Sequence, residues 1–227
     1  MKNGYRIITL LLIFVLVLSI FTLSSCNRKY DEEEVTEATK KLLTEAEMLN
    51  KIYYGSGIEY FEGEGNKGNY RVASSVHLEQ LGFSTIEELK EITEKTFSDG
   101  YSEILYSTIL APLRDGEYYV SPARYYQEYD EKTNEPTHIM VNSSFSPLMK
   151  DNVTYDLSSI SVEKSKKERV YVKVKATVTT SDGKSQSIEL TVNLIEESDG
   201  WKIDNPTYAN YNPYKDKYDE LKDKDFN

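Results

Sequence analysis

The chain has 227 residues and only one cysteine, Cys26, so no intramolecular disulfide can form and the fold must be held by packing alone. Histidine is nearly as scarce. His77 and His138 with a single thiol give no four-ligand zinc set, and neither histidine has a partner that the sequence places beside it. His138 adjoins a strand start and is expected to be exposed or hydrogen-bonded. Positive charge is short as well, with 27 Lys and Arg against 38 Asp and Glu and a net charge of −11. Such a surface repels phosphates, which excludes nucleic acid as a partner and leaves an anionic membrane unattractive without some other attachment. Gly55, Gly57, Gly63, Gly65 and Gly68 crowd residues 52–81, but they lack phosphate-loop spacing and no Gly-Lys-Ser or Gly-Lys-Thr follows them. The carboxylates run in clusters such as 31–34, 87–88, 130–131 and 196–197, the pattern of solvated faces. Asp216, Asp219, Asp223 and Asp225 miss the central glycine and final glutamate of a calcium loop. No metal and no cofactor is expected.

What is present begins with one long apolar run. Lys2 and Arg6 precede a nearly uncharged core over 7–21, and the small residues Ser24 and Ser25 precede Cys26. That order is the one a secretory leader shows, and the core falls short of the roughly 20 residues of a comfortable membrane-spanning helix. Leu23-Ser24-Ser25-Cys26 resembles the lipobox of bacterial lipoproteins. The resemblance implies cleavage before Cys26, recognition of Leu23, Ser24 and Ser25 by the signal peptidase, and lipid carried on Cys26. A plain signal peptide ending near a cysteine and an uncleaved anchor helix are the competing readings. Loss of Lys2 and Arg6 with the leader would take the net charge from −11 to −13. The expected organisation is a signal peptide over 1–25, a tether over 26–34, one α+β domain over 35–211 and a polar tail over 212–227.

Within the domain, Val35, Ala38, Leu42, Ala46 and Leu49 recur at helical spacing and predict a first helix over 35–50. Residues 52–81 show no clear periodicity. Ser84-Thr85-Ile86-Glu87 reads as a capping box opening a second helix over 85–97. Ser98-Asp99-Gly100 breaks that helix and caps a third, carried by Ile104, Leu105, Thr108 and Ile109 as far as Pro112. The period then changes to two. Strands are expected at 118–121, 125–129 and 139–145, and another around Leu157, Ile160 and Val162. Val170, Val172, Val174, Ala176 and Val178 alternate with polar residues. Ile188, Leu190, Val192 and Leu194 do the same after Ser181-Asp182-Gly183-Lys184, which predicts a long hairpin. Trp201 and Ile203 face inward on a last short strand that Pro206 ends.

Three helices followed by a long antiparallel meander and Gly200-Trp201-Lys202-Ile203-Asp204-Asn205-Pro206 resemble the nuclear transport factor 2-like group. The resemblance implies a cone-shaped α+β domain, with about three N-terminal helices packed on a curved antiparallel sheet of five to six strands. A cystatin-like wrap is the nearest alternative. Enzymes of that group use a cavity carboxylate as general base beside a tyrosine or histidine, a set that this sequence does not place.

Nineteen tyrosines stand out in the composition. Tyr118, Tyr119, Tyr125, Tyr126 and Tyr129 crowd one part of the meander, where successive residues point to opposite faces. They are candidate contacts for a ligand or partner, because a flat apolar ring with a hydroxyl suits a sugar, a peptide or another protein. The ordinary role of tyrosine in a half-buried strand competes with that reading. The expected function is a non-catalytic binding module, anchored by lipid to the outer face of the bacterial cell membrane, with an envelope protein, peptide or glycan as its partner. Two alternatives differ in class. One is a small-cavity enzyme with a carboxylate/tyrosine acid–base pair; the other is an inhibitor of cell-wall enzymes acting through an acidic exposed loop at 66–75 or 130–136.

Overall fold

A computed structural model describes residues 30–110, 113–115, 118–121, 123–145, 152–166, 168–179 and 183–208. The leader, Cys26 with Leu23, Ser24 and Ser25, and the tail beyond residue 208 lie outside the described residues. The architecture is mixed α+β, with antiparallel sheets of three and four strands and a separate two-stranded ribbon.

Helix α1 (Glu32–Tyr53) is longer at both ends than its apolar stripe indicates. Asp31 caps it by accepting from the amides of Glu33 and Glu34, and three glutamates in the first turn complement the positive end of the helix dipole. Residues 32–34 therefore belong to the helix and not to the tether. The stripe buries Val35, Leu42, Leu43, Ala46 and Leu49 against the sheet, with Thr39 returning its hydroxyl to the Val35 carbonyl at 2.6 Å.

The glycine-rich stretch contains β1 (Tyr70–Val72), where Tyr70 and Val72 alternate as a short extended piece, and α2 (Ser75–Leu81), which the sequence does not announce. Because β1 is paired, and Lys67 and Arg71 sit in it or beside it, residues 66–75 do not form an acidic free loop. Helix α3 (Ile86–Thr96) starts one residue later than Ser84 would place it. Thr85 is the cap, and Glu88 closes the box by accepting from the amides of Ser84 and Thr85. Ser84 is bound into the same motif through its hydroxyl, 2.8 Å from Glu88. Those hydrogen bonds hold the Glu88 carboxyl below the usual glutamate range. A depressed folded-state pKa means that the stabilisation is present above the ordinary glutamate pKa and is lost as pH falls through the lowered value. Thr85→Ala should cost about 1 kcal/mol in urea unfolding at neutral pH. The wild-type advantage over Glu88→Gln should shrink as acid is added, and an advantage independent of pH would contradict this account of the cap.

Helix α4 (Asp99–Leu105) is capped by Ser98 and passes into a π-turn over Tyr106–Leu110. The ribbon β2 (Leu113–Asp115) and β3 (Tyr118–Ser121) follows. Strands β4 (Tyr125–Tyr129) and β5 (Pro136–Asn142) join β1 in the order β1-β5-β4. The loop between them closes on Asp130, whose Oδ1 accepts from the amides of Lys132 and Thr133. His138, on β5, is exposed. The strands β6 (Asn152–Lys166), β7 (Arg169–Thr179), β8 (Ser185–Glu197) and β9 (Gly200–Ile203) make a continuous meander.

The expected hairpin is β7–β8. Its register sets Val170 opposite Leu194, Val172 opposite Val192, Val174 opposite Leu190 and Ala176 opposite Ile188, so the two apolar rows coincide on one face. Helix α1 packs on β6 and β9, and α3 on β9. The strands expected to run as a single sheet of five to six are thus nine in number among the described residues, divided into three groups. The division falls between β5 and β6, where the chain leaves one sheet and starts another.

Candidate functional site

Two buried cations show how the helices are fixed. Arg124, just before β4, is 3% exposed and donates to the carbonyls of Tyr53 at 2.9 Å and Gly55 at 2.7 Å, beyond the last turn of α1. Its guanidinium lies 4.6 Å from the Phe145 ring centre and 5.2 Å from that of Tyr125. Burial holds its pKa below the usual arginine range, yet arginine keeps its proton, so the charge is balanced by carbonyl oxygens at the negative end of the helix dipole. Lys202 does the same for α3, donating to the Glu94 carbonyl and to Asp199 Oδ2, both at 2.7 Å. That ammonium holds the Asp199 carboxyl below its ordinary value.

The candidate tyrosines separate in this setting. Tyr125 is fully buried; its hydroxyl donates to the Ile52 carbonyl at 2.8 Å and accepts from the Ile58 amide at 3.2 Å. Burial pushes that hydroxyl up to about 12. Tyr125 is therefore a capping residue of α1 with no face left for a ligand, because the side of β4 that carries it is the side that meets the helix end. Tyr126 is half-buried, edge-on to Tyr70 at 4.7 Å, and Tyr129 is exposed at the end of β4. Tyr118 and Tyr119 lie on β3, but their side chains are outside the described residues. Tyr125 and Tyr126, neighbours on β4, face opposite sides of the sheet and do not share a site.

Other tyrosine hydroxyls are also committed. Tyr53 pairs with Thr93 at 2.7 Å, and Tyr155 donates to the Thr207 carbonyl at 2.8 Å while Asn50 donates to it at 3.1 Å. Burial raises both, Tyr155 to about 12. A carboxylate–tyrosine contact does exist, Tyr106 to Glu94 at 3.1 Å, but the same hydroxyl donates to the Lys90 carbonyl at 3.0 Å. Burial pushes Tyr106 above its ordinary value, so it keeps its proton through the physiological range. His77 Nδ1 accepts from the Glu59 amide at 2.9 Å, so that nitrogen is committed to the backbone. Among the described residues no group of three or more His, Cys, Asp or Glu is arranged to hold a metal ion.

A groove of about 590 Å³ lies between α1, α3 and the β8–β9 turn. Its apolar lining comes from Leu42, Met48, Leu81, Ile92 and Trp201, all but Leu42 half-buried. Lys41 from α1 and Lys95 from α3 stand on its rim. A second groove of about 360 Å³ shares Met48 and Leu81 and continues towards Lys51, Gly57 and His77. Along α1 the wall is Lys41, Glu45, Met48 and Ile52, spaced 4, 3 and 4 residues and so aligned on one flank of the helix beside the core stripe. At the other end Trp201 meets Tyr30 edge-on at 4.9 Å and donates from Nε1 to Glu34 Oε1 at 3.1 Å. Trp201, on the groove wall, is thereby tied to Tyr30 and to the first turn of α1.

Comparison of the chain with protein-family models, with curated proteins and with solved structures finds no match. The reading of the site rests on its own residues.

Ala38, Leu42 and Trp201 are legible in the sequence as core positions, but nothing in it assembles the groove residues into a site. Met48 carried the available signal, an apolar side chain off the core stripe of α1. Trp201 was expected to face inward, and it does so only on one side.

Proposed function

We propose that this protein is a lipid-anchored, non-catalytic binding module of the cell envelope, held on the outer face of the bacterial membrane through Cys26, with a nuclear transport factor 2-like domain. The observation that carries this reading is the open, apolar-lined groove beside Tyr30, four residues after Cys26. Its size falls within the range of small-ligand sites. A four-stranded antiparallel meander that ends in Gly200-Trp201-Lys202-Ile203, with helices packed on it, agrees with the family resemblance. A carboxylate/tyrosine enzyme has less support, since the hydroxyls of Tyr53, Tyr125 and Tyr155 are bound to backbone or neighbouring side chains and burial raises their pKa values.

Fractionation of cells and intact mass measurement test the anchor. Wild type should partition with membranes and weigh more than the polypeptide from Cys26 by the mass of its acyl groups; Cys26→Ala should lack that mass. A wild-type protein of unmodified mass would refute the anchoring.

A further inference from the structure

We infer that the groove between α1, α3 and β9 binds a single-chain anionic amphiphile, its hydrocarbon along α1 and its head group between Lys41 and Lys95. The inference rests on the anchored-module reading above for the source of the ligand, but its geometry stands apart from it.

The two connected grooves follow α1 from Ala38 to Ile52, about 21 Å at 1.5 Å per residue. A track of that length suits an extended chain. A peptide would bring backbone N–H and C=O groups that need partners wherever they are covered. The shared centre of the track offers Met48 and Leu81, which bond to nothing, so hydrocarbon is the occupant that leaves no polar group stranded.

Charge selects the head group. The chain as a whole is strongly acidic, yet this rim carries Lys41 and Lys95, and the described residues give neither lysine an ion-pair or hydrogen-bond partner. Lys202 and Asp199 pair at 2.7 Å, so Glu45 is the one opposing charge among the residues that line this groove, with Glu34 outside the lining on Trp201 Nε1. The local balance is therefore positive on a negative molecule, an arrangement that favours a carboxylate or phosphate over a neutral or cationic head. Position supplies the rest. Cys26 lies four residues before Tyr30, at most about 14 Å of chain, and Tyr30 touches Trp201 on the groove wall, so an anchored Cys26 keeps that wall near the lipid attachment. Free fatty acids and anionic lysophospholipids share the required chemistry, and both occur at such a surface.

Trp201 is the single tryptophan in the chain and lines the groove, so its fluorescence reads occupancy directly. The full chain, purified in dodecyl maltoside micelles, would be titrated with oleate, with oleoyl-lysophosphatidylglycerol and with monoolein, whose chain is the same but whose head is neutral. An anionic ligand should give a saturable change, and monoolein only the linear drift of micelle partitioning. Lys41→Gln with Lys95→Gln should weaken binding about tenfold, and Lys41→Glu with Lys95→Glu should abolish it; both lysines are exposed, so neither pair threatens the fold. Saturation by only one of the two anionic probes upholds the class and names the source. Equal responses to oleate and monoolein, or lysine variants that bind like wild type, would overturn the proposal. Intact mass of the same preparation reports the acyl anchor independently, so a missing anchor and an empty groove are distinguishable.

Discussion

Gly57→Ala should lower stability by about 3–5 kcal/mol, a large part of the total for a domain of this size. Gly57 has φ +83°, a region that costs an L-residue about 1 kcal/mol. A Cβ there would stand 2.6 Å from Tyr125 Oη and 2.9 Å from Arg124 Cζ, and would collide with the Arg124 terminal nitrogen. An arginine tip can ordinarily swing aside. This one is held by two carbonyls and packed against two rings, so moving it gives up charge-assisted bonds worth about 1.5–3 kcal/mol each. The carbonyls it leaves are at the end of α1 and are buried. Urea unfolding of four proteins would isolate the cause: wild type, Gly57→Ala, Arg124→Met and the double variant. In the Arg124→Met background the glycine substitution should cost clearly less, the backbone term of about 1 kcal/mol together with the remaining approach to Tyr125 Oη. Gly100→Ala is the control. It lies within α4, at no positive φ and with nothing within 4 Å of the added Cβ, and should be neutral or slightly stabilising. Equal effects of Gly57→Ala in both backgrounds would show that the Arg124 contact is not what the substitution breaks.

Asp204→Ala should remove about 3 kcal/mol and lower the melting temperature by about 6–12 °C. Asp204 is buried at the end of β9. Its Oδ1 accepts from the Ser98 hydroxyl at 2.6 Å, and its Oδ2 pairs with Arg169 at the start of β7. The same junction is tied through backbone, with the Ser98 amide on the Ile203 carbonyl at 2.9 Å and the Asp204 amide on Asn193 at 2.8 Å. Ser98 also caps α4. One carboxylate thus joins a helix start, the last strand and the first residue of β7. Removing it leaves Arg169 uncompensated; because Arg169 is partly exposed, the cost falls at the low end of the range for buried pairs. Asp204→Asn keeps an acceptor for Ser98 and should lose about half as much, about 1.5 kcal/mol. Thermal unfolding followed by circular dichroism measures both. An Asn variant as damaged as the Ala variant would mean that charge, and not the hydrogen bond to Ser98, carries the whole effect.

How far the sequence could be read depended on whether a signal was local. The stripe from Val35 to Leu49 located α1, but Asp31 at one end and Ile52 and Tyr53 at the other extended it beyond the stripe. Ser84 and Thr85 are both competent caps, and only the position of Glu88 chose between them. In the glycine-rich segment order comes from distant partners: the Ile58 amide on Tyr125, the Ser74 amide on the Glu59 carbonyl, and β1 on β5. No periodicity within residues 52–81 encodes those. The burial of Tyr125 is hidden from the sequence for the same reason. Alternation says that a residue has a face, not whether a helix end will occupy it, and the neighbouring Arg124 gave no hint that it would be buried.

By itself the sequence determined the mixed α+β class, the β7–β8 hairpin and its inward rows, the three principal helices, and the exclusion of disulfides and of a histidine–cysteine zinc set. Each follows from composition or from a period of 3.6 or 2 within one segment. The tertiary structure alone decided the division of the strands into separate sheets, the use of Arg124 and Lys202 as helix-end cations, and the groove that brings Lys41, Lys95 and Trp201 together. Those features join residues as much as 160 positions apart, and a contact between distant segments exists only once packing has fixed where each helix ends and which flank it leaves open.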